Sequence, residues 1–584
     1  MAALKFDKFG GQIPAIDERL LPLENATYTE NAFLQAGRLE PLAADIEIHT
    51  LDNPAARYAF RVPVNQPGID NITDSYWLEF ENDLTTVVRS PVADLADGGR
   101  FYWASTSGPP GYTTKQRLID GDPPLILGIP RPIVAPGVTV SGGATPTITR
   151  AYVYTWVSAS GEEGQPSPPT LQTGNVTGTW HITMTAPTIT DTTNRTLTYT
   201  RIYRTEVATD GVTVGFFFVT QLPIATLTYD DIISGDVVAN SEQLQSEDWS
   251  GPPADLEGLT SMPNGMIVGW KDNEIWFCEP FRPHAWPVKY VINVEFPIIG
   301  LGTIDQNCMV LTSGQPYVAM GIHPEVMALR QVQPLEPCTA QGSIVSTPNG
   351  VLYTSYNGLI LIGPGGGKNV TFDLIRKDDW LRIANLNTIH ATYFMNGYYF
   401  YSGAIEGVFQ TDPPPDEDCF QNDFVQEENY KGTQVGAHIN LTDERLGFMT
   451  LTCDSPTFNV MLDAWTGETL VLRAGKVFHV DRRSYAPRQS YKWKSKLVQT
   501  NYKENFAAAK VFFSPPNGPA PSEPTSFHYY ADGVLRYSRP IVKSGEQFRL
   551  PSGFKTDTVQ FELRGQLMVH NMQVATSARE LREV

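Results

Sequence analysis

The feature that most restricts this chain is a unit that recurs without a strict period. "SMPNGMIVGWKDNEIWFCEP" begins at Ser261 and "STPNGVLYTSYNGLILIGPG" at Ser346. In both, Asn-Gly leads into an apolar run, a polar turn follows (Lys271 to Asn273, or Ser355 to Gly358), and a second apolar run closes the unit. Asn-Gly is favoured where two successive residues need positive φ, so each unit is expected to be an antiparallel hairpin. "YFMNGYYFYSG" from Tyr393, "DQNCMVLTSGQPYVAMG" and "NVMLDAWTGETLVLRAGKVFHVD" fit the same scheme. Five or six related hairpins between residues 247 and 485 predict repeated four-stranded sheets, a β-propeller-like domain of undetermined blade count.

A second β region precedes it. From residue 146 to 246 the chain holds "YVYTWVSASGEEGQPSPPT", "TWHITMTAPT", "TYTRIYRTEV", "GFFFVTQLP" and "ATLTYDD", separated by turn-rich segments. Short strands with frequent turns and no cysteine predict a fibronectin-type or disulfide-free immunoglobulin-like sandwich. Tyr152, Tyr154 and Trp156 alternate with Val153, Thr155 and Val157, the period of a strand with two unlike faces. Ser160 and Gly161 then open a turn that Glu162 and Glu163 are expected to keep solvated, and Pro166, Pro168 and Pro169 end the ladder. Trp156 and Tyr203 are candidate core aromatics.

The remaining ends, 1–145 and 486–584, are also rich in aromatic and β-branched runs, among them "ARYAFRVPV", "SYWLEFEND", "SFHYYADGVLRYS" and "DTVQFELRGQLMVHNMQVA". Asp532-Gly533 marks a hairpin turn. One helix is expected in "LENATYTENAFLQAGRLEPL", capped by Asn25 or Thr27, with Ala32, Phe33 and Ala36 inward and Gly37 at its end. "DGDPPLILGIPRPIVAPG" reads as an extended connector, and "SARELREV" as a frayed end or short contact helix. The fold class is therefore mainly β and multidomain.

Composition narrows the function. With 63 acidic against 43 basic residues, the net charge is −20, contrary to the basic surface of a protein that grips nucleic acid by counterion release. The five cysteines are scattered with no C-x-x-C pair, indicating neither a zinc site nor a disulfide framework. No apolar run reaches the roughly 20 residues needed to span a bilayer, so stable membrane insertion is not expected. The N-terminal residues lack a signal-peptide pattern.

Catalytic motifs are missing. "GPGGGKN" has Ile362 and Asn369 where a phosphate loop requires Gly and Ser or Thr. There is no G-x-S-x-G elbow or H-E-x-x-H helix, and the nine histidines occur singly. Sialidase-type turns are represented only by a partial echo, "DAWTGET" at Asp463. No enzymatic activity and no cofactor are expected. The alternative is a carbohydrate-binding or glycoside-hydrolysing propeller using exposed Trp270, Trp276 or Trp286, or a pair of carboxylates. The acidic, proline-rich "TDPPPDEDCFQNDFVQEEN" is the most loop-like segment. Its Asp412, Asp416, Glu417 and Asp418 are either a solvated excursion, a calcium site lacking helix-loop-helix spacing, or a loop projecting into a channel to repel a passing polyanion.

Four separated regions carry a resemblance. They are "FGGQIPAIDERLLPLENATYTENAFLQAGRLEP", the sandwich segments with "TRIYRTE" and "TLTYDD", "LTSMPNGMIVGWKDNEIWFCEPFRPHAWP", and "YKWKSKLV" with "NFAAAKVFF". In content and order they resemble the tail nozzle, or tail tubular B-like, proteins of short-tailed bacteriophages (podoviruses). The resemblance implies a platform of N- and C-terminal segments, an inserted sandwich and a propeller, assembled as a homohexameric ring in the virion tail after synthesis in the host cytoplasm. It also implies partners: the portal and adaptor complex above, tail fibres or spikes at the side, and double-stranded DNA passing without sequence recognition. The function implied is structural, retaining the genome and conducting it during ejection, with Asp412, Asp416, Glu417 and Asp418 as a candidate channel or gate loop.

Overall fold

A computed structural model describes residues 3–34, 37–63, 75–92, 99–207, 214–403, 434–442, 447–452 and 455–582. The chain is mainly β, with sheets that are antiparallel except where Ala26–Glu30 runs parallel to Phe448–Leu451, and among the described residues the helices have seven residues or fewer. It divides into two compact units, residues 84–313 with 317–331, and residues 1–83, 314–316 and 332–584.

The first of these contains three four-stranded meanders of propeller-blade type. One runs through Thr86–Arg89, Arg100–Ser105, Gly108–Thr114 and Leu125–Ile126, so the expected connector supplies the fourth strand before it leaves the sheet. The second is Gly258–Met262, Met266–Lys271, Glu274–Phe277 and Ile292–Asn293. The third is Ile298–Ile304, Asn307–Thr312, Tyr317–Met320 and Ala328–Gln331. Asn264 and Gly265 both have positive φ, 68° and 77°, which is the turn their dipeptide predicts.

Between the first and second meanders lies the sandwich. One sheet orders Gly137–Ser141, Thr179–Thr183 and Thr228–Asp231; the other orders Thr170–Asn175, Thr147–Ser158, Leu197–Val207 and Val214–Pro223. Tyr152, Tyr154, Trp156, Trp180, Ile182 and Ile202 fill the space between the sheets. Tyr203 is also buried, but on the opposite face, with Val153, Leu244 and Phe216. The strand expected to have two unlike faces is thus buried on both, because Leu244 N–H bonds the Phe216 carbonyl and lays a further segment over the outer side.

The other unit is built around a ten-stranded sheet. Its order includes His390–Phe394, Gly397–Ser402, Val435–Asn440, Phe448–Leu451, Ala26–Glu30, Tyr491–Ser495, Thr556–Gly565, Ser526–Ala531 and Val534–Pro540. The expected helix is therefore wrong. Ala26–Glu30 and Ala32–Phe33 are strands, and Ala36 lies outside the described residues. Thr27, Tyr28 and Thr29 favour extended backbone, and pairing with Lys492, Trp493, Lys494 and Ser495 outweighs a weak capping pattern. Asn31, at φ 52°, then breaks the strand. The Asp532-Gly533 turn joins its predicted hairpin with both residues at positive φ, 50° and 76°.

The same unit holds the meander Val345–Thr347, Gly350–Ser355, Gly358–Gly363 and Gly366–Asn369. Here "GPGGGKN" is a hairpin turn, with Gly363 opposite Gly366. A last four-stranded sheet takes Thr457–Leu462, Thr469–Arg473 and Lys476–His479 from one part of the sequence and Ile46–Thr50 from far upstream. Ala3–Phe6 similarly pairs with Met568–Ala575. At the C-terminal end Glu580–Arg582 forms one 3-10 turn that buries Leu581 against Ala508 and Ala575.

Candidate functional site

Asp412, Asp416, Glu417 and Asp418 lie outside the described residues. Two other sequence-selected acids, Glu162 and Glu163, contradict the expectation of a solvated turn. Only 8% of Glu163 is exposed. Its Oε1 accepts from the hydroxyls of Thr155 (2.5 Å) and Tyr203 (2.8 Å), and its Oε2 accepts from Arg201 (2.9 Å). The turn folds back on its own strand, where Ser158 N–H bonds the Glu162 carbonyl and Gly164 N–H bonds that of Trp156. This supplies the carboxylate to the one polar side chain, Thr155, between Val153 and Val157. Burial, then the negative charge of Glu163, pushes the Tyr203 phenol pKa well up, so it acts as a hydrogen-bond donor.

Glu162 points elsewhere. Its Oε1 accepts from Arg100 of the first meander (2.8 Å) and lies 3.7 Å from Nδ1 of His284, just beyond the second meander's third strand. Burial lowers the His284 pKa, against the opposing pull of Glu162. Arg282 stacks over Trp249 at 4.3 Å, and Trp249 meets His284 edge-on. The two glutamates therefore bracket the sandwich, one locking its strand and the other tying its turn to two blade-like sheets. Both carboxylates are occupied by structural partners, which suits rigid placement of the sandwich and not proton transfer. The sequence signal was present in the paired acids, but Arg100, Arg201 and His284 are separated from them by 38 residues or more.

Deeper in the sandwich, Arg204 and Asp231 form an ion pair with both side chains fully buried. Asp231 also accepts from Tyr152 Oη (2.8 Å) and Ile233 N–H (3.0 Å), and Arg204 reaches Glu206 at 2.9 Å. Such a buried pair holds its charges through these contacts, and removing one member leaves the other uncompensated.

The aromatics considered for sugar binding are not a surface set. Trp270 and Trp286 are buried in core clusters, and half-buried Trp276 donates its indole N–H to Glu274. Asp463 of "DAWTGET" pairs with Arg61 in the interior and accepts from Trp465 N–H (3.0 Å) and Thr466 Oγ1 (2.8 Å), fixing a turn. Among the described residues no group of three His, Cys, Asp or Glu side chains could hold a metal ion. Cys278, Cys308 and Cys338 are buried thiols, each with its pKa pushed up to about 12 by burial. Cys419 and Cys453 lie outside the described residues.

A cleft of about 20 Å³ is lined by Phe33, Leu34, His438, Asn440, Gly447 and Met449. It is large enough for one water molecule and too small for a sugar ring. His438 donates from Nε2 to the Phe394 carbonyl (2.9 Å), and burial lowers its pKa to about 4.

No protein-family model matches the chain, and no curated protein matches it. Solved structures give distant likenesses only. The N-terminal domain of Nup159 is 9% identical, with 58% of this chain and 80% of that one covered, at a TM-score of 0.23. BBS1N in complex with ARL6DN is 8% identical, covering 75% and 96%, at 0.26. PorZ of Porphyromonas gingivalis, described as a surface component of the type-IX secretion system, is 12% identical, covering 73% and 43%, at 0.18. TM-scores this low carry no argument about what the chain is or does.

Proposed function

We propose that this protein is a structural component of a short-tailed bacteriophage tail, a nozzle subunit that continues the DNA channel below portal and adaptor and offers attachment surface for fibres or spikes. The observation that carries the reading is how the two ends of the chain meet. The N-terminal and closing segments that bear the resemblance are neighbouring strands of one sheet, Ala26–Glu30 beside Tyr491–Ser495, with Trp493 donating its indole N–H to the Gly10 carbonyl. This pairing of the two ends supports the platform that the resemblance implies.

Charge supports the reading physically. A subunit of net charge −20, repeated around a ring, presents duplex DNA with repulsion where acids face the bore, which favours passage over adhesion. Buried ionic locks and aromatic cores throughout suit a part that holds its shape under load.

Electron microscopy of the purified chain and of the virion tests the proposal. The expected result is a closed ring with an axial hole wide enough for duplex DNA. A monodisperse monomer in the assembled particle overturns it.

A further inference from the structure

The outward face of the three-stranded sandwich sheet carries a Ser-His-Asp relay. Residues alternate across this sheet, so Trp180, Ile182 and Asp231 point into the core while His181 and Asp230 point out, directly opposite one another in the register. Ser141, at the exposed end of Gly137–Ser141, approaches the same histidine from the other neighbouring strand. His181 Nδ1 lies 2.7 Å from Asp230 Oδ1, and His181 Nε2 lies 2.7 Å from Ser141 Oγ. The carboxylate fixes the tautomer: Nδ1–H donates to Asp230, and Nε2 is left to accept the serine proton.

From this geometry we infer that Ser141 is an activated nucleophile toward small, unhindered carboxylic esters, an activity separate from the nozzle role. Ser141 and His181 are the catalytic residues, and Asp230 is the positioning residue. The space beside the serine is open. Ser141 is exposed, and Gly142, which follows it with φ 64°, has nothing within 4 Å of where a Cβ would stand. A polar ladder on an outward sheet face needs no particular order of groups; here nucleophile, base and carboxylate stand in the order that acyl transfer requires.

The chemistry balances with water as the second reactant. Ser141 Oγ bonds to the ester carbonyl carbon while its proton passes to His181 Nε2. The carbon–oxygen bond to the alcohol breaks, and the alcohol leaves with that proton. Water, deprotonated by the same nitrogen, then cleaves the acyl-serine to the free acid and restores the hydroxyl. His181 is 42% exposed and Asp230 66%, so water competes for every contact, and covalent capture is a stronger readout than turnover.

The test treats the full-length chain with a fluorophosphonate, which forms an Oγ–phosphorus bond as fluoride leaves, and maps the adduct by peptide mass spectrometry. The expected adduct is on Ser141 and forms about a hundredfold more slowly in His181→Gln. Asp230→Asn is expected to slow it less. Ser141→Ala, an exposed substitution, abolishes the adduct with the far-ultraviolet circular dichroism unchanged. No adduct above that of heat-unfolded chain, or an equal rate in His181→Gln, overturns the inference and leaves only a polar cross-strand contact. Ring formation does not enter this readout, so failure of the nozzle reading is seen separately by microscopy.

Discussion

The sandwich and the ten-stranded sheet solve the same packing problem with different materials. Around Trp493 and Phe561 the core is uncharged, a cluster of aromatic rings set among aliphatic side chains such as Leu563, Val559 and Val574: Phe9 meets Trp493 at 5.0 Å and Phe6 meets it at 5.9 Å, both edge-on, while Tyr529 stacks on Phe561 at 5.6 Å. The sandwich has aromatics too, but it adds buried Arg204, Asp231 and Glu163, with half-buried Arg201 paired to Glu163. An aromatic core degrades gradually, since each ring makes many small contacts. An ionic core is all or nothing, because removing one charge strands another where water does not reach it.

Asp231→Ala should break the comparison most sharply. It leaves the Arg204 guanidinium buried without its main partner, at a cost of about 4 kcal/mol. Faster hydrogen exchange along Thr147–Ser158 would report it. The double change Arg204→Met with Asp231→Leu should recover to within about 1 kcal/mol of the native chain; failure to recover would mean that the pair stabilises through more than mutual neutralisation.

The ten-stranded sheet has a titrating weak point in the buried His438. Its folded-state pKa lies near 4, below the ordinary 6.5, so the unfolded chain takes up a proton first as pH falls. Stability is therefore full above pH 6.5 and declines down to about pH 4, by about 3 kcal/mol in total. Denaturant unfolding at pH 7.5 and 4.5 measures the decline, and His438→Gln should flatten it.

Smaller effects belong to ring trimming and turns. Phe561→Leu should cost about 1.5 kcal/mol, well below the sandwich charge deletion. Gly533→Ala, in a left-handed turn with nothing near the added carbon, should cost about 1 kcal/mol from backbone strain alone. Thermal denaturation of the two variants ranks them.

These contrasts also explain what the sequence discloses. Hairpins around Asn264-Gly265, Asn349-Gly350 and Asn396-Gly397 are legible because turn chemistry and strand alternation are local. The expected helix at residues 25–37 fails because its capping pattern is equally local, while the partner that decides the matter, Tyr491–Ser495, is more than 450 residues away. Glu162 and Glu163 read as solvated for the same reason: nothing nearby announces Arg100, Arg201 or Tyr203. Ser141, His181 and Asp230 form no linear motif, and only the register of three strands brings them together. The candidate channel or gate residues Asp412, Asp416, Glu417 and Asp418 rest on the sequence alone.

The strand Ile46–Thr50 completes a sheet whose other members end at His479, and Lys476 is 429 residues downstream of its partner Glu47. During synthesis at about 5 to 20 residues per second, that strand waits roughly 20 to 90 seconds for its neighbour to leave the ribosome. For that interval "IEIHT" is an exposed β-segment with an open edge. The time that a nascent chain must be shielded is therefore written into its topology.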